Sequence, residues 1–242
     1  MFDQTKDFSM NPELVIQHLK SLAEPGYTVK MSHFGIDSGQ ALGIRMPVLR
    51  TYAKTLKPNQ ELAEELWAVP LHEAKLMAIL LLDKKKLSAA LMERWAPGFY
   101  SWDLVDQFCI AFAKTPWAME KAMGWSHEEG EFIKRAGFAL MVTICMHDKK
   151  RPDDDLLPFF ARMEAEAHDG RNFVKKAINW ALRTLGKRNL YLHPYAIACA
   201  ERIRAQGSPS AKWIASDALR ELKSEKIMDR LRKKTGLKTD KS

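Results

Sequence analysis

The segment Tyr100-Ser101-Trp102-Asp103-Leu104-Val105-Asp106 sets an acid and an indole one helical turn apart. On a helix, Leu104, Val105, Phe108 and Phe112 make the buried side, Asp106 falls well away from it, and Trp102 stands at the edge on the same flank as Asp106. A carboxylate so placed can stabilise developing positive charge or orient a water. An indole face beside it attracts cations. Ser101 or Tyr100 begins this helix, and Asp103 suits the open N–H groups of its first turn. A plain alternative stays open, with Asp103 a helix-start acid and Asp106 an ordinary surface charge, because a lone Asp is weak evidence of chemistry. A second indole, Trp180, lies between Lys176 and Arg183 on one face of its own helix. Indoles are costly to leave in water, so this one either packs under an adjacent element or meets a ligand.

The elements that position these residues are helical. Ala and Leu together number 55 in the 242-residue chain, against 16 Val and Thr, and period-2 strand patterns are hard to find. The spacing predicts helices over 11–22, 46–56, 59–68, 71–82, 87–95, 102–114, 116–124, 129–146, 153–166, 171–186, 193–205 and 209–222. Pro58, Pro70, Pro97, Pro152, Gly170 and Pro209 mark their boundaries, and Asp153-Asp154-Asp155 suits a helix N-terminus. Phe132-Ile133-Lys134-Arg135-Ala136 is echoed by Phe173-Val174-Lys175-Lys176-Ala177 and then by Trp213-Ile214-Ala215-Ser216. That period, about 40 residues, fits HEAT-like helical pairs. The expected fold is all-α, a HEAT-like helical-repeat solenoid (an α-α superhelix) with a basic concave face. One domain is expected over 1–231, with a polar tail over 232–242 that frays.

At 100° per residue, Ile133, Gly137 and Met141 share a stripe with Val174, Ile178 and Leu182, and with Ile214, Ala218 and Leu222. This stripe should be buried. Roughly opposite lie Arg135, Ala139 and Val142, then Lys176, Trp180 and Arg183, then Ser216, Arg220 and Lys223, predicted to stack into a ladder facing away from the core. A charged stripe is usually a solvated face; Trp180 inside it is the unusual member.

Thirty-eight Lys and Arg against 30 Asp and Glu give a net charge of +8, which points to an anionic partner, nucleic acid ahead of an acidic membrane surface. The longest apolar run, Leu76 to Leu82, is too short to span a bilayer. Asp3 and Asp7 with no apolar stretch argue against a targeting signal. Cys109, Cys145 and Cys199, odd in number and set in helical patterns, read as buried free thiols of a reducing cytosol. The seven His form no metal motif. Gly35, Gly39 and Gly43 recur every four residues but lack the Lys-Ser/Thr of a P-loop, and suit chain turning better than phosphate binding. Lys84-Lys85-Lys86 fits the C-terminal end of an apolar helix. Trp67, Trp95, Trp117 and Trp125, beside turns, read as core filling, and Arg45 and Arg50 are ambiguous.

In order, Gly43-Ile44-Arg45-Met46-Pro47 with Arg50, Leu66-Trp67 with Pro70, Trp102-Asp103-Leu104-Val105-Asp106, Lys134-Arg135-Ala136, and Lys176-Ala177-Ile178-Asn179-Trp180-Ala181-Leu182-Arg183 resemble the AlkD-type DNA alkylation repair glycosylases. The likeness runs from about residue 40 to 222. It implies Asp106 as the catalytic carboxylate, Trp102 and Trp180 as indoles facing the sugar, Arg135 as a DNA-contacting arginine, and Arg183 as part of the DNA face. Ser101 departs from members with a further aromatic there, and the segment from about Lys30 to Ala41 is a few residues longer. Some paralogues keep the scaffold without the acid; this chain retains Asp106 and both indoles.

The chemistry such a set can perform is hydrolysis of the N-glycosidic bond of a cationic N3- or N7-alkylated purine in double-stranded DNA. Alkylation makes the base a good leaving group, so no general acid is required. One carboxylate then serves the oxocarbenium-like sugar and the water, half of the usual two-carboxylate scheme. No metal and no cofactor is needed. Phosphate contacts fall to Arg135, Lys176, Arg183, Arg220 and Lys212. A cytoplasmic monomer working on the nucleoid is expected. Rival readings are a HEAT-like module that binds DNA without chemistry, and a protein–protein scaffold whose basic face meets an acidic partner.

Overall fold

A computed structural model describes residues 11–36 and 39–234. Those residues form fourteen α-helices with short connections and no strand. Backbone contacts divide the chain into two compact units, one ending at Leu91 and the other starting at Met92, with α6 (Ala89–Trp95) across the junction.

The first unit holds α1 (Pro12–Ser21), α2 (Pro25–His33), α3 (Met46–Thr55), α4 (Gln60–Ala68) and α5 (His72–Leu80). α5 is its centre, with α1, α3 and α4 packed on it. Asn11 and Asn59 cap α1 and α4, their side chains accepting from Leu14 N at 2.9 Å and Leu62 N at 3.1 Å. The glycine-bearing loop turns the chain: Gly35 and Gly43 have φ of 73° and 78°, and a Cβ on Gly43 would lie 2.2 Å from the Glu24 carbonyl. Glu73, fully buried, accepts from the backbone N–H groups of Leu42 (2.9 Å), Gly43 (2.9 Å) and Ile44 (3.2 Å). Those donors form a small anion-binding concavity that the protein fills with its own carboxylate. Lys84-Lys85-Lys86 lie beyond the end of α5 in a turn, where Lys86 pairs with Glu61 at 2.9 Å instead of capping a helix.

The second unit contains α7 (Trp102–Phe112), α8 (Ala118–Trp125), α9 (Glu131–His147), α10 (Leu157–Glu166), α11 (Asn172–Gly186), α12 (Leu192–Ala205), α13 (Pro209–Leu222) and α14 (Glu225–Lys234). The repeat register is met in space: α7, α9, α11 and α13 pack in succession, while α8, α10 and α12 cover them. Phe132 and Phe173, one repeat apart, bring their rings within 5.4 Å. The stripe from Ile133 through Leu222 is buried apart from half-buried Ile133. Gly137 lets α9 close on α8, since a Cβ there would lie 2.4 Å from Ser126 N. Asn179, buried, donates to Ile214 O at 3.0 Å and ties α11 to α13.

The expected ladder holds only in part. Ala139 and Val142 are fully buried and Arg135 is 5% exposed, because α9 is covered by α7, α8 and α11 together, whereas Ser216, Arg220 and Lys223 at α13 are exposed. α2 and α14 were absent from the predicted elements. The polar tail begins as helix, since α14 reaches Lys234; its remainder, 235–242, lies outside the described residues, as do Asp3, Asp7, and Asp37 and Ser38 of the longer segment. The three thiols are free and buried. Trp67, Trp95 and Trp125 are core residues, while Trp117 is half-buried at the start of α8. Among the described residues no helix is long and apolar enough to cross a membrane.

Candidate active site and nucleic-acid interface

Ser101, extended and buried, is the N-cap of α7, although its hydroxyl makes no capping bond. Leu104, Val105, Phe108 and Phe112 anchor this helix in the core, with Phe108 stacked on Phe112 at 4.4 Å. That anchorage leaves Trp102 and Asp106 half-buried on the other flank, one turn apart. Arg135 comes from the first turns of α9. Its Nη2 donates to Asp106 Oδ1 at 2.7 Å and its Nη1 to the Phe173 carbonyl at 3.0 Å. One guanidinium thus joins α7, α9 and α11. Its Nε is buried without a partner.

The carboxylate is subject to opposing influences. Loss of solvent raises the Asp106 carboxyl, the charge and hydrogen bond of Arg135 pull it down, and neighbouring Asp103 raises it, with a net position of about 6 against an ordinary 3.8. Burial dominates, so the carboxyl stays above its ordinary value even while paired with a cation. Beneath it, Cys109 donates to Ala136 O at 3.5 Å. Burial first, then the Asp106 charge, raises that thiol well above its ordinary value, so it is inert.

The structure therefore brings Asp106, Trp102 and Arg135 together, with the acid engaged by a guanidinium rather than standing alone. Arg135 is turned inward by this pairing and is not part of an outward phosphate-contacting row. Trp180 is half-buried, seven residues beyond Phe173 on α11, about 10 Å along the helix at the usual rise. It lines a cavity of about 250 Å³ together with Thr184, Lys187, Arg188 and Arg230.

The remaining cations differ in how far they are committed. Lys176 and Lys212 are exposed with no ion pair among the described residues. Arg183 binds Glu221 at 2.8 Å and Asp217 at 3.4 Å. Arg220, largely exposed, also pairs with Asp217, and Lys223 pairs with Glu201 at 2.9 Å. Sequence reasoning passed over Trp213, which is 41% exposed under Lys175, whose Nζ lies 5.5 Å from the ring centroid. The signal was present, since Trp213 occupies the same repeat position as Phe132 and Phe173. It also passed over Lys149 and Arg230, which only the folding of α9 and α14 brings beside Trp180.

Residues 15–222 match the family of DNA alkylation repair enzymes. The chain belongs to that family. Among solved structures it is similar to a member of a protein family related to the HEAT-like repeat DNA glycosylases, with affinity for branched DNA structures. The two share a TM-score of 0.70 at 22% identity, over 88% of this chain and 95% of that one. This likeness identifies the fold as HEAT-like. No curated protein matches significantly.

Proposed function

We propose that the protein is a DNA glycosylase that releases cationic N3- or N7-alkylated purines from double-stranded DNA. The observation that carries this reading is Asp106: a half-buried carboxylate, one turn from an indole, held by a single guanidinium through one of its two oxygens. Alkylation has already placed positive charge on the base, so the C–N bond can break without protonation. Positive charge then appears on the sugar. Asp106 stabilises it and orients the attacking water, while Trp102 and Trp180 offer faces worth roughly 0.5–2 kcal/mol each to a nearby cation. Arg135 holds the carboxylate in place and favours its ionised form. The base stays stacked, with the lesion engaged through its backbone. Duplex phosphates are met by Lys176, Lys212, Arg183 and Arg220. Incubation with methylated duplex DNA, followed by analysis of freed bases, tests the reading: the wild type should release 7-methylguanine and Asp106→Asn should not, while both bind the duplex. Equal release by the two would remove Asp106 from the chemistry.

A second reading is favoured by the same ion pair and by the structural relative. If Asp106–Arg135 is only a tie between α7 and α9, the protein binds damaged or branched DNA without cutting the glycosidic bond. In that case the wild type itself frees no base.

A further inference from the structure

The cavity beside Trp180 has a charge pattern that the lesion chemistry leaves unused. Trp180 forms one wall, Thr184 follows one turn along α11, and Lys187 and Arg188 close its end; Lys149 arrives from the end of α9 and Arg230 from α14. Among the described residues no carboxylate lines it. Lys187 is held by Glu221 at 2.6 Å and Arg188 by Asp153 at 2.8 Å, so these two are structural. Lys149, exposed, donates to the Cys145 carbonyl at 3.3 Å and has no ion pair among the described residues. Arg230, also exposed, has no ion pair among the described residues. Two uncommitted cations therefore face a space of about 250 Å³ walled by an indole. Nearby His147 is held below its ordinary value by burial first, with the charges of Lys114 and Lys149 adding to it.

An alkylated purine is itself cationic and would be repelled here. A phosphate would not, since its oxygens match the ammonium and guanidinium donors. We propose that this cavity is a phosphate subsite of the DNA strand, taking the one backbone phosphate adjacent to the nucleotide whose sugar lies on Trp180, with Lys149 and Arg230 as its ligands. The inference rests on the reading that the protein engages alkylated duplex DNA.

The test uses the whole chain and a duplex containing a single 7-methylguanine, with affinity measured across salt concentrations. The wild type is compared with Lys149→Gln, Arg230→Gln and the double variant, each first shown to melt like the wild type. Because both side chains serve one phosphate, the double variant should lower the log–log salt slope by about one, with the two single effects adding to no more than that. A duplex with one neutral methylphosphonate linkage, walked along the strand, should reproduce the loss at a single position, and the double variant should show no further loss there. If the wild type binds duplex DNA while the variants keep its full salt slope, or the linkage position makes no difference, the subsite is overturned and the wider reading stands. If the wild type does not bind duplex DNA at all, both fall.

Discussion

The two ends of the α9–α11 pair treat charge in opposite ways. Near the start of α9, Arg135 and Asp106 neutralise each other at 2.7 Å with little exposure. Near its end, Lys149 and, across from it, Arg230 stand exposed, with no carboxylate of the described residues in the cavity they share. A matched internal pair controls an acid's protonation and geometry. Unmatched cations at a rim wait for an external anion. On the proposed reading, chemistry belongs to one end and backbone recognition to the other.

The sharpest way to break that contrast is Asp106→Asn. It should lower single-turnover base release by at least about a hundredfold while leaving duplex affinity within a small factor; parallel loss of both would show the acid end to be a binding element. Arg135→Gln comes next. Removing one partner of a mostly buried pair costs about 3 kcal/mol, read as a lower unfolding midpoint in denaturant. It also moves the acid limb of activity. In the wild type, kcat/KM should fall below about pH 6, where Asp106 takes up a proton; without the cation that pulls this value down, the limb should shift upward. The stability linkage has a definite sign. The folded protein binds this proton more tightly than the unfolded chain, so the contribution is full below about pH 3.8 and is lost as pH rises through about 6. A limb that stays in place in the variant would contradict the pairing.

Trp180→Ala should slow base release about tenfold, the kinetic equivalent of one cation–π face. A similar loss in affinity for undamaged duplex would instead assign the indole to general binding. Smaller still, Lys176→Gln should reduce the salt slope of binding by about one, whereas Arg220→Gln should reduce it by clearly less, because Asp217 already holds that guanidinium. Equal slopes for the two would mean that internal pairing does not discount a surface cation.

Much of this was legible in the residues. Pro209 sits at a helix start as expected, and the repeat of Phe132, Phe173 and Trp213 gave the stacked layer in advance. Two helices were not legible, for different reasons. α2, Pro25–His33, carries Gly26, Thr28 and Val29, buries only Met31 and leaves Val29 61% exposed, so it has no apolar stripe to detect. α14 is so charged that Ile227 and Leu231 alone mark its buried face. The ladder misled because helical angles describe one helix in isolation. Whether an offset meets solvent depends on which side of the helix its neighbours cover: α7, α8 and α11 bury this face of α9, while Ser216 and Arg220 of α13 stay exposed. Asp106 and Trp102 were readable as a flank because their helix is anchored by its own apolar residues. The pairing with Arg135 was not, since it depends on the approach of a helix 29 residues away.

Glu73 in the first unit illustrates a different economy. The donors at residues 42–44 have the form of a phosphate cradle, but a carboxylate on the same chain already sits in it. An outside phosphate would have to evict a tethered competitor that never diffuses away. The loop is thereby closed to an outside phosphate, and removing the plug's charge and length together with Glu73→Ala is the change that would leave those donors open.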